Sequence, residues 1–194
     1  MKEGKIIILS APSGTGKSTI IRSLVEIGDL MLGFSVSATS RAPRGEEQHG
    51  KEYYFLTEKE FKDRVVNGEF VEWEEVYPGT CYGTLLSEVE RVTHAGRNLI
   101  MDVDVKGALN IKRFFGDKAL ALFVMPPSKE ELERRLRERS TDSEESILKR
   151  LAKADFEMSF APKFDKIVVN DKLEDAVETT ATLIRSFASS QNPV

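Results

Sequence analysis

Cysteine is almost missing from this chain. Cys81 stands alone, so neither an internal disulfide nor a cysteine-rich zinc site can form, and a reducing compartment, the cytoplasm, is expected. Histidine is nearly as scarce: His49 and His94 lie far apart and make no ligand set. No apolar run approaches the ~18 residues of a membrane span, and the first residues lack the layout of a signal peptide. Neither membrane nor nucleic acid is therefore an expected partner. Charge of one sign is not in excess: 28 Lys and Arg face 32 Asp and Glu, a net −4. Any bound anion must be gripped by local clusters rather than by a global basic field. Repeats and low-complexity tracts are lacking as well. What is present is a globular composition, 40% hydrophobic and 31% charged over 194 residues, the size of one domain.

Apolar runs at 5–9, 34–37, 98–101, 120–125 and 166–169 suit strands buried on both faces. Between them lie helical patterns. Ile20, Ile21, Leu24 and Ile27 repeat at helical spacing up to Gly28, and a last helix is expected from Leu173 to Phe187. Capping boxes are read at Thr57 with Glu60, Ser128 with Glu131, and Thr141 with Glu144. Strands alternating with helices imply βαβ units and a parallel sheet, an α/β fold. The stretch from Arg41 to Thr84 breaks the rhythm. It holds all four tyrosines and the only tryptophan, with short strands expected at 53–56 and 70–73, and reads as a small mixed insertion. Trp73 is expected in its core.

Ala11-Pro12-Ser13-Gly14-Thr15-Gly16-Lys17-Ser18 follows the first strand and opens the first helix. It is the phosphate-loop pattern with Ala11 in place of the first glycine. Gly14 and Gly16 allow consecutive backbone N–H groups to face one anion, and the helix adds the positive end of its dipole. Lys17 would reach the terminal phosphates and Ser18 would hold Mg²⁺. Ala11 is tolerable if its position needs no positive φ. The apolar strand 98–101 ends in Asp102, an acid placed to hold Mg²⁺ through water, with Asp104 a weaker candidate for the same ion.

With these residues in view the sequence resembles the guanylate kinase family, ATP-dependent nucleoside monophosphate kinases that phosphorylate GMP. The resemblance runs from the phosphate loop to Ile167-Val168-Val169-Asn170-Asp171. Its most specific stretch is Phe34-Ser35-Val36-Ser37-Ala38-Thr39-Ser40-Arg41-Ala42-Pro43-Arg44, with His49-Gly50-Lys51-Glu52-Tyr53, Phe70-Val71-Glu72-Trp73 and Tyr82-Gly83-Thr84 following. It implies a P-loop NTPase core with a five-stranded parallel sheet flanked by helices, an inserted mixed α+β GMP-binding subdomain and a helical lid. Within the single domain 1–194, residues 1–36 and 85–194 would form the ATP-binding core, 37–84 the GMP subdomain and 135–155 the lid. By the same resemblance Arg41 and Arg44, stiffened by Pro43, hold the GMP phosphate with Tyr53 and Tyr82. Glu72 accepts the two adjacent donors of guanine, where adenine would present a lone pair. Ser37 and Thr84 match the remaining guanine contacts, and Asp102 serves the guanine amino group and the metal region together.

Arg135, Arg139 and Arg150 match lid or lid-edge arginines that close over the phosphates. Arg134 and Arg137 have no such match and read as a solvated face paired with nearby glutamates, each pair worth ~0.2–0.5 kcal/mol. Asn170 and Asp171 fall where the family contacts the adenine nucleotide. The implied reaction is direct in-line transfer of the γ-phosphoryl group of Mg-ATP to GMP, and to dGMP, in purine nucleotide metabolism and GMP recycling. Lys17, Arg44 and the three lid arginines would supply its charge stabilisation. Two other readings stand beside it. A ribose 1,5-bisphosphate kinase-like enzyme would need no guanine reader, and a non-catalytic guanylate-kinase-like scaffold module would need no ATP chemistry. Oligomeric state is left open between monomer and homo-oligomer.

Overall fold

The computed structural model describes residues 3–138 and 143–190. Ile6–Ser10 (β1) is buried at every position because it is the middle strand of a five-stranded sheet. The other strands are Leu32–Gly33 (β2), Asn98–Asp102 (β7), Ala119–Met125 (β8) and Lys166–Val169 (β9), in the order β2-β7-β1-β8-β9, all parallel. The strand's two-residue repeat divides β1 between two cores. Ile7 and Leu9 pack with Ile20 and Leu24 of Lys17–Glu26 (α1) and with Ala181 and Ile184 of Leu173–Ser189 (α7). Ile6 and Ile8 pack on the opposite face, with Val89 and Val92 of Leu86–His94 (α3) and Ala108 and Ile111 of Val105–Phe115 (α4). Helices thus cover both faces, as an all-parallel sheet requires. Lys129–Glu138 (α5) and Glu144–Met158 (α6) pack on each other through Leu132, Leu136 and Ala154.

Between β2 and α3 the chain builds a second sheet from Ala38–Thr39 (β3), Tyr54–Phe55 (β4), Phe70–Tyr77 (β5) and Thr80–Leu85 (β6), in the order β4-β3-β6-β5. β3 pairs parallel with β4 and antiparallel with β6, and β5 and β6 form an antiparallel hairpin. Glu58–Val66 (α2) covers it with Phe61, which is fully buried and stacks on Phe70 with ring centroids 4.4 Å apart. Its expected capping box is complete: Glu60 N–H donates to Thr57 Oγ1 at 3.1 Å, and Thr57 N–H to Glu60 Oε2 at 2.7 Å.

Four expectations are corrected. Residues 34–37 form no strand. They cross from one sheet to the other, and the Val36 N–H donates to the Glu88 carboxylate rather than to a neighbouring strand. β9 forms as expected, but only Val168 is buried, because it is an edge strand against β8 alone. Trp73 lies on β5, the edge of the small sheet, and is 48% exposed rather than core. Thr141 lies outside the described residues, and the first turn of α6 is capped by Ser143, whose Oγ accepts from Ser146 N–H at 3.3 Å.

Candidate active site

The loop from β1 into α1 turns through left-handed backbone at Gly14 (φ +94°) and Gly16 (φ +88°). A Cβ on Gly16 would lie 2.5 Å from Asn170 Nδ2, so this turn needs glycine for space as well as for φ. Ala11 is buried and its φ is not positive, which is why a methyl group is accepted there. Thr15 is fully buried; its hydroxyl donates to Pro12 O at 2.9 Å and its carbonyl accepts from Asn170 Nδ2 at 2.6 Å. The loop is therefore braced from behind. No side chain caps α1, which leaves its first N–H groups aimed at whatever anion enters.

Lys17 pairs with Asp102 at the end of β7 and lies 3.4 Å from Val103 O. Asp104 accepts from Gly107 N–H at 2.7 Å and so caps α4. These residues, Ser13, Gly14, Ser18 and, from α6, Lys153 and Glu157, line a concavity of about 400 Å³. Glu157 is buried there, and burial pushes its carboxyl above the usual range. Arg150 donates to Ser13 Oγ, bringing α6 onto the loop.

A larger concavity, about 770 Å³, lies between the two sheets. Ser37, Tyr53, Glu72, Tyr82 and Thr84 line it together. Thr84 Oγ1 donates to Glu72 Oε1 at 2.7 Å, fixing the carboxylate across the β5–β6 pair. Burial raises the Glu72 pKa, and the negative charge of Asp104, exposed at the wall of the same concavity, adds to the effect. Arg41 donates to Tyr82 OH at 3.1 Å and lies over the Tyr53 ring at 5.0 Å. Its two terminal nitrogens meet Glu47 at 2.7 and 2.8 Å, and the Arg44 N–H reaches the same carboxylate at 2.7 Å. Those hydrogen bonds hold Glu47 at a pKa of about 2. The Arg44 guanidinium itself is exposed.

Asp102, Val103 and Asp104 belong to the walls of both concavities, which meet at the carboxyl end of β7. The family model for guanylate kinase matches residues 3–187. The guanylate kinase of Porphyromonas gingivalis is 56% identical over 183 residues, 94% of this chain and 97% of that protein. That of Bacteroides fragilis is 54% identical over 185 residues, 95% of this chain and 90% of its own length. The crystal structure of guanylate kinase from Anaplasma phagocytophilum superposes with a TM-score of 0.70 at 30% identity, covering 98% of this chain and 89% of that one. The chain belongs to the guanylate kinase family. It is an enzyme, and its fold is the P-loop NTPase arrangement expected of that family.

In this guanylate kinase fold the arginines of α5 all meet glutamates, and one of them also reaches beyond its helix. Arg134 pairs with Glu131 and Glu138, and Arg137 with Glu133 and Glu144. Arg135 shares Glu131 with Arg134, at 2.7 Å, and in addition donates to the carbonyls of Asn170 at 2.8 Å and Asp171 at 3.1 Å, tying α5 to the turn after β9. Arg139 lies outside the described residues. Glu157 and Lys106 at these walls, and Glu47 beside Arg41, escaped the reading of the sequence. Glu47 carried a faint signal, three positions beyond Arg44 in a Gly-containing turn. Glu157 and Lys106 carried none. Cys81 is buried, and burial raises its thiol pKa, which leaves it little nucleophilic thiolate.

Proposed function

We propose that this chain transfers the γ-phosphoryl group of ATP to GMP, and to dGMP, by direct in-line displacement, with the acceptor in the larger concavity and the donor phosphates at the loop. The observation that carries the reading is the shared wall at Asp102–Asp104, which lets two bound nucleotides meet phosphate to phosphate. Residues 37–84 act as the acceptor subdomain, 1–36 and 85–194 as the donor core, and 135–155, which include the undescribed residues 139–142, as the lid.

In the acceptor site Glu72, held by Thr84, accepts the ring N–H and amino group of guanine, while Ser37 and Asp102 complete the base contacts. Arg41, Arg44, Tyr53 and Tyr82 converge on the acceptor phosphate, with Arg41 already over the Tyr53 ring and donating to the Tyr82 hydroxyl. At the donor side the backbone of residues 11–16 and the start of α1 cradle the phosphates, and Asn170 and Asp171 flank the adenine. Lys17 leaves Asp102 for the terminal phosphates when ATP arrives. Arg150, already at Ser13, and Arg135 and Arg139 then draw α5 and α6 over the transferring group and exclude water.

A kinase of this family works with a divalent ion. The residues fit Mg²⁺: the Ser18 hydroxyl and the Asp102 and Asp104 carboxylates are hard oxygen donors at one wall. Among the described residues no three acidic, histidine or cysteine side chains gather into a cage. That sparse donor set suits an ion held mainly by phosphates and water. Once bound, Mg²⁺ neutralises charge on the donor phosphates. No helix among the described residues is long and apolar enough to cross a membrane, and the lone buried thiol accords with a reducing cytoplasm.

The test offers GMP, dGMP, AMP, UMP, dTMP and ribose 1,5-bisphosphate in parallel with Mg-ATP and follows ADP release. GMP and dGMP should turn over fastest. Faster turnover of any other acceptor removes the guanine assignment, and no measurable Mg-ATP binding would favour a scaffold module.

A further inference from the structure

Glu88 takes no part in the chemistry proposed above, yet it is one of the few buried charges of the chain, 3% exposed on α3. Its two oxygens accept four hydrogen bonds from three places. Val36 N–H (2.7 Å) and Arg91 Nη2 (2.9 Å) reach Oε2, and Tyr54 OH (2.9 Å) and Arg91 Nε (2.7 Å) reach Oε1. Arg91 lies one turn along the same helix and neutralises the charge. The other two partners belong elsewhere. Val36 is in the link that leaves the large sheet after β2, and Tyr54 is on β4, the outer strand of the small sheet. α3 itself is anchored on the large sheet through Val89 and Val92. One carboxylate thus fastens the crossing between the sheets to the body that carries the phosphate loop.

The residue beyond Val36 is Ser37, which lines the acceptor concavity and whose carbonyl accepts from Tyr54 N–H at 2.8 Å. Every degree of freedom left to the 34–37 link is therefore a freedom of the acceptor wall. We infer that Glu88 is a positioning residue of the acceptor site, pinning Val36 and Tyr54 so that Ser37 and the small sheet stand at working distance from the donor loop. The inference rests on reading that concavity as the GMP site. A carboxylate suits the task because it accepts all four donors at once, whereas an amide offers one acceptor oxygen and turns an N–H₂ group toward a donor.

Two variants separate this role from simple bracing. Glu88→Gln keeps the shape and leaves donors unmatched; Tyr54→Phe deletes a single hydrogen bond and keeps the ring. GMP affinity is read by the fluorescence of Trp73, the only tryptophan, which lines the acceptor concavity. KM for GMP and for ATP, and Tm, are measured alongside. Glu88→Gln should weaken GMP binding and raise its KM by about tenfold, and Tyr54→Phe by about threefold, as expected for one or two misplaced polar contacts. KM for ATP should stay within about twofold of the wild type, and saturating GMP should restore most of kcat. Should Glu88→Gln fail to fold, the same split between substrates in Tyr54→Phe decides. A fall in Tm with GMP affinity unchanged, or equal weakening of both substrates, overturns the positioning role. Wild-type protein that binds Mg-ATP but not GMP overturns the reading of the concavity itself.

Discussion

A half-buried carboxylate is costly to keep charged even with a hydroxyl donating to one oxygen, and Glu72 shows that cost of burial in its raised pKa. The direction fixes a pH dependence. A carboxyl whose pKa lies above the ordinary 4.5 takes up its proton at higher pH, and the neutral form cannot accept both guanine donors. kcat/KM for GMP should therefore fall on the acid side with an apparent pKa above that of an ordinary glutamate, while ATP binding is spared. Glu72→Gln should lower kcat/KM for GMP by roughly 10- to 100-fold, the worth of one mismatched buried contact, and abolish that acid limb. Steady-state profiles of both proteins from pH 5 to 8 check this; an unchanged profile refutes the base-reading role. Lys17→Ala should cut turnover by roughly 10³ or more, the scale of a cation on a transferring phosphoryl group. At the residue scale the sequence was legible where chemistry is local. Gly14, Gly16, Lys17 and Ser18 form a pattern within eight positions. Glu157 is an ordinary glutamate by type, and only the concavity that the fold builds around it gives it meaning.

The phosphate loop works as an element because two sources of rigidity converge on it: left-handed turns at Gly14 and Gly16, and the Asn170 amide on Thr15 O. Gly16→Ala adds a methyl group against Asn170 at a φ that L-residues avoid, a strain of ~1–3 kcal/mol. ATP affinity measured by calorimetry should drop by at least roughly tenfold, with GMP affinity kept. α2 offers the complementary case. Thr57→Ala removes half of a complete capping box and should cost ~1 kcal/mol in denaturant unfolding, with kcat unchanged because no residue of that cap meets either concavity. The box at Thr57 and Glu60 was readable because both halves lie three residues apart. The 34–37 segment was misread for the opposite reason. Its apolar pattern matches a strand, but an isolated run does not say whether its N–H groups meet a neighbouring strand or, as at Val36, a side chain 52 positions away.

For the whole molecule, the proposed function resides in the relation of two concavities that share the Asp102–Asp104 wall. Ligands that bind the folded state alone stabilise it by about 2.7 kcal/mol at a hundredfold excess over Kd. GMP and Mg-ATP should each raise Tm, read by calorimetry, and Trp73 emission should change with GMP. Chelating the divalent ion should stop turnover and remove most of the shift due to ATP while leaving that due to GMP. Loss of both shifts together would contradict separate donor and acceptor sites.

From the sequence by itself came the α/β class, the loop that takes phosphate and the membership of a kinase family, because strand and helix periods and glycine-lysine spacing are local properties of the chain. Tertiary structure alone decided that β9 and β5 are edges, that Arg135 holds the turn after β9, and that Glu88 ties the 34–37 link and β4 to α3. Each of these depends on which distant parts of the chain the fold brings together, and that is not a local property of the sequence.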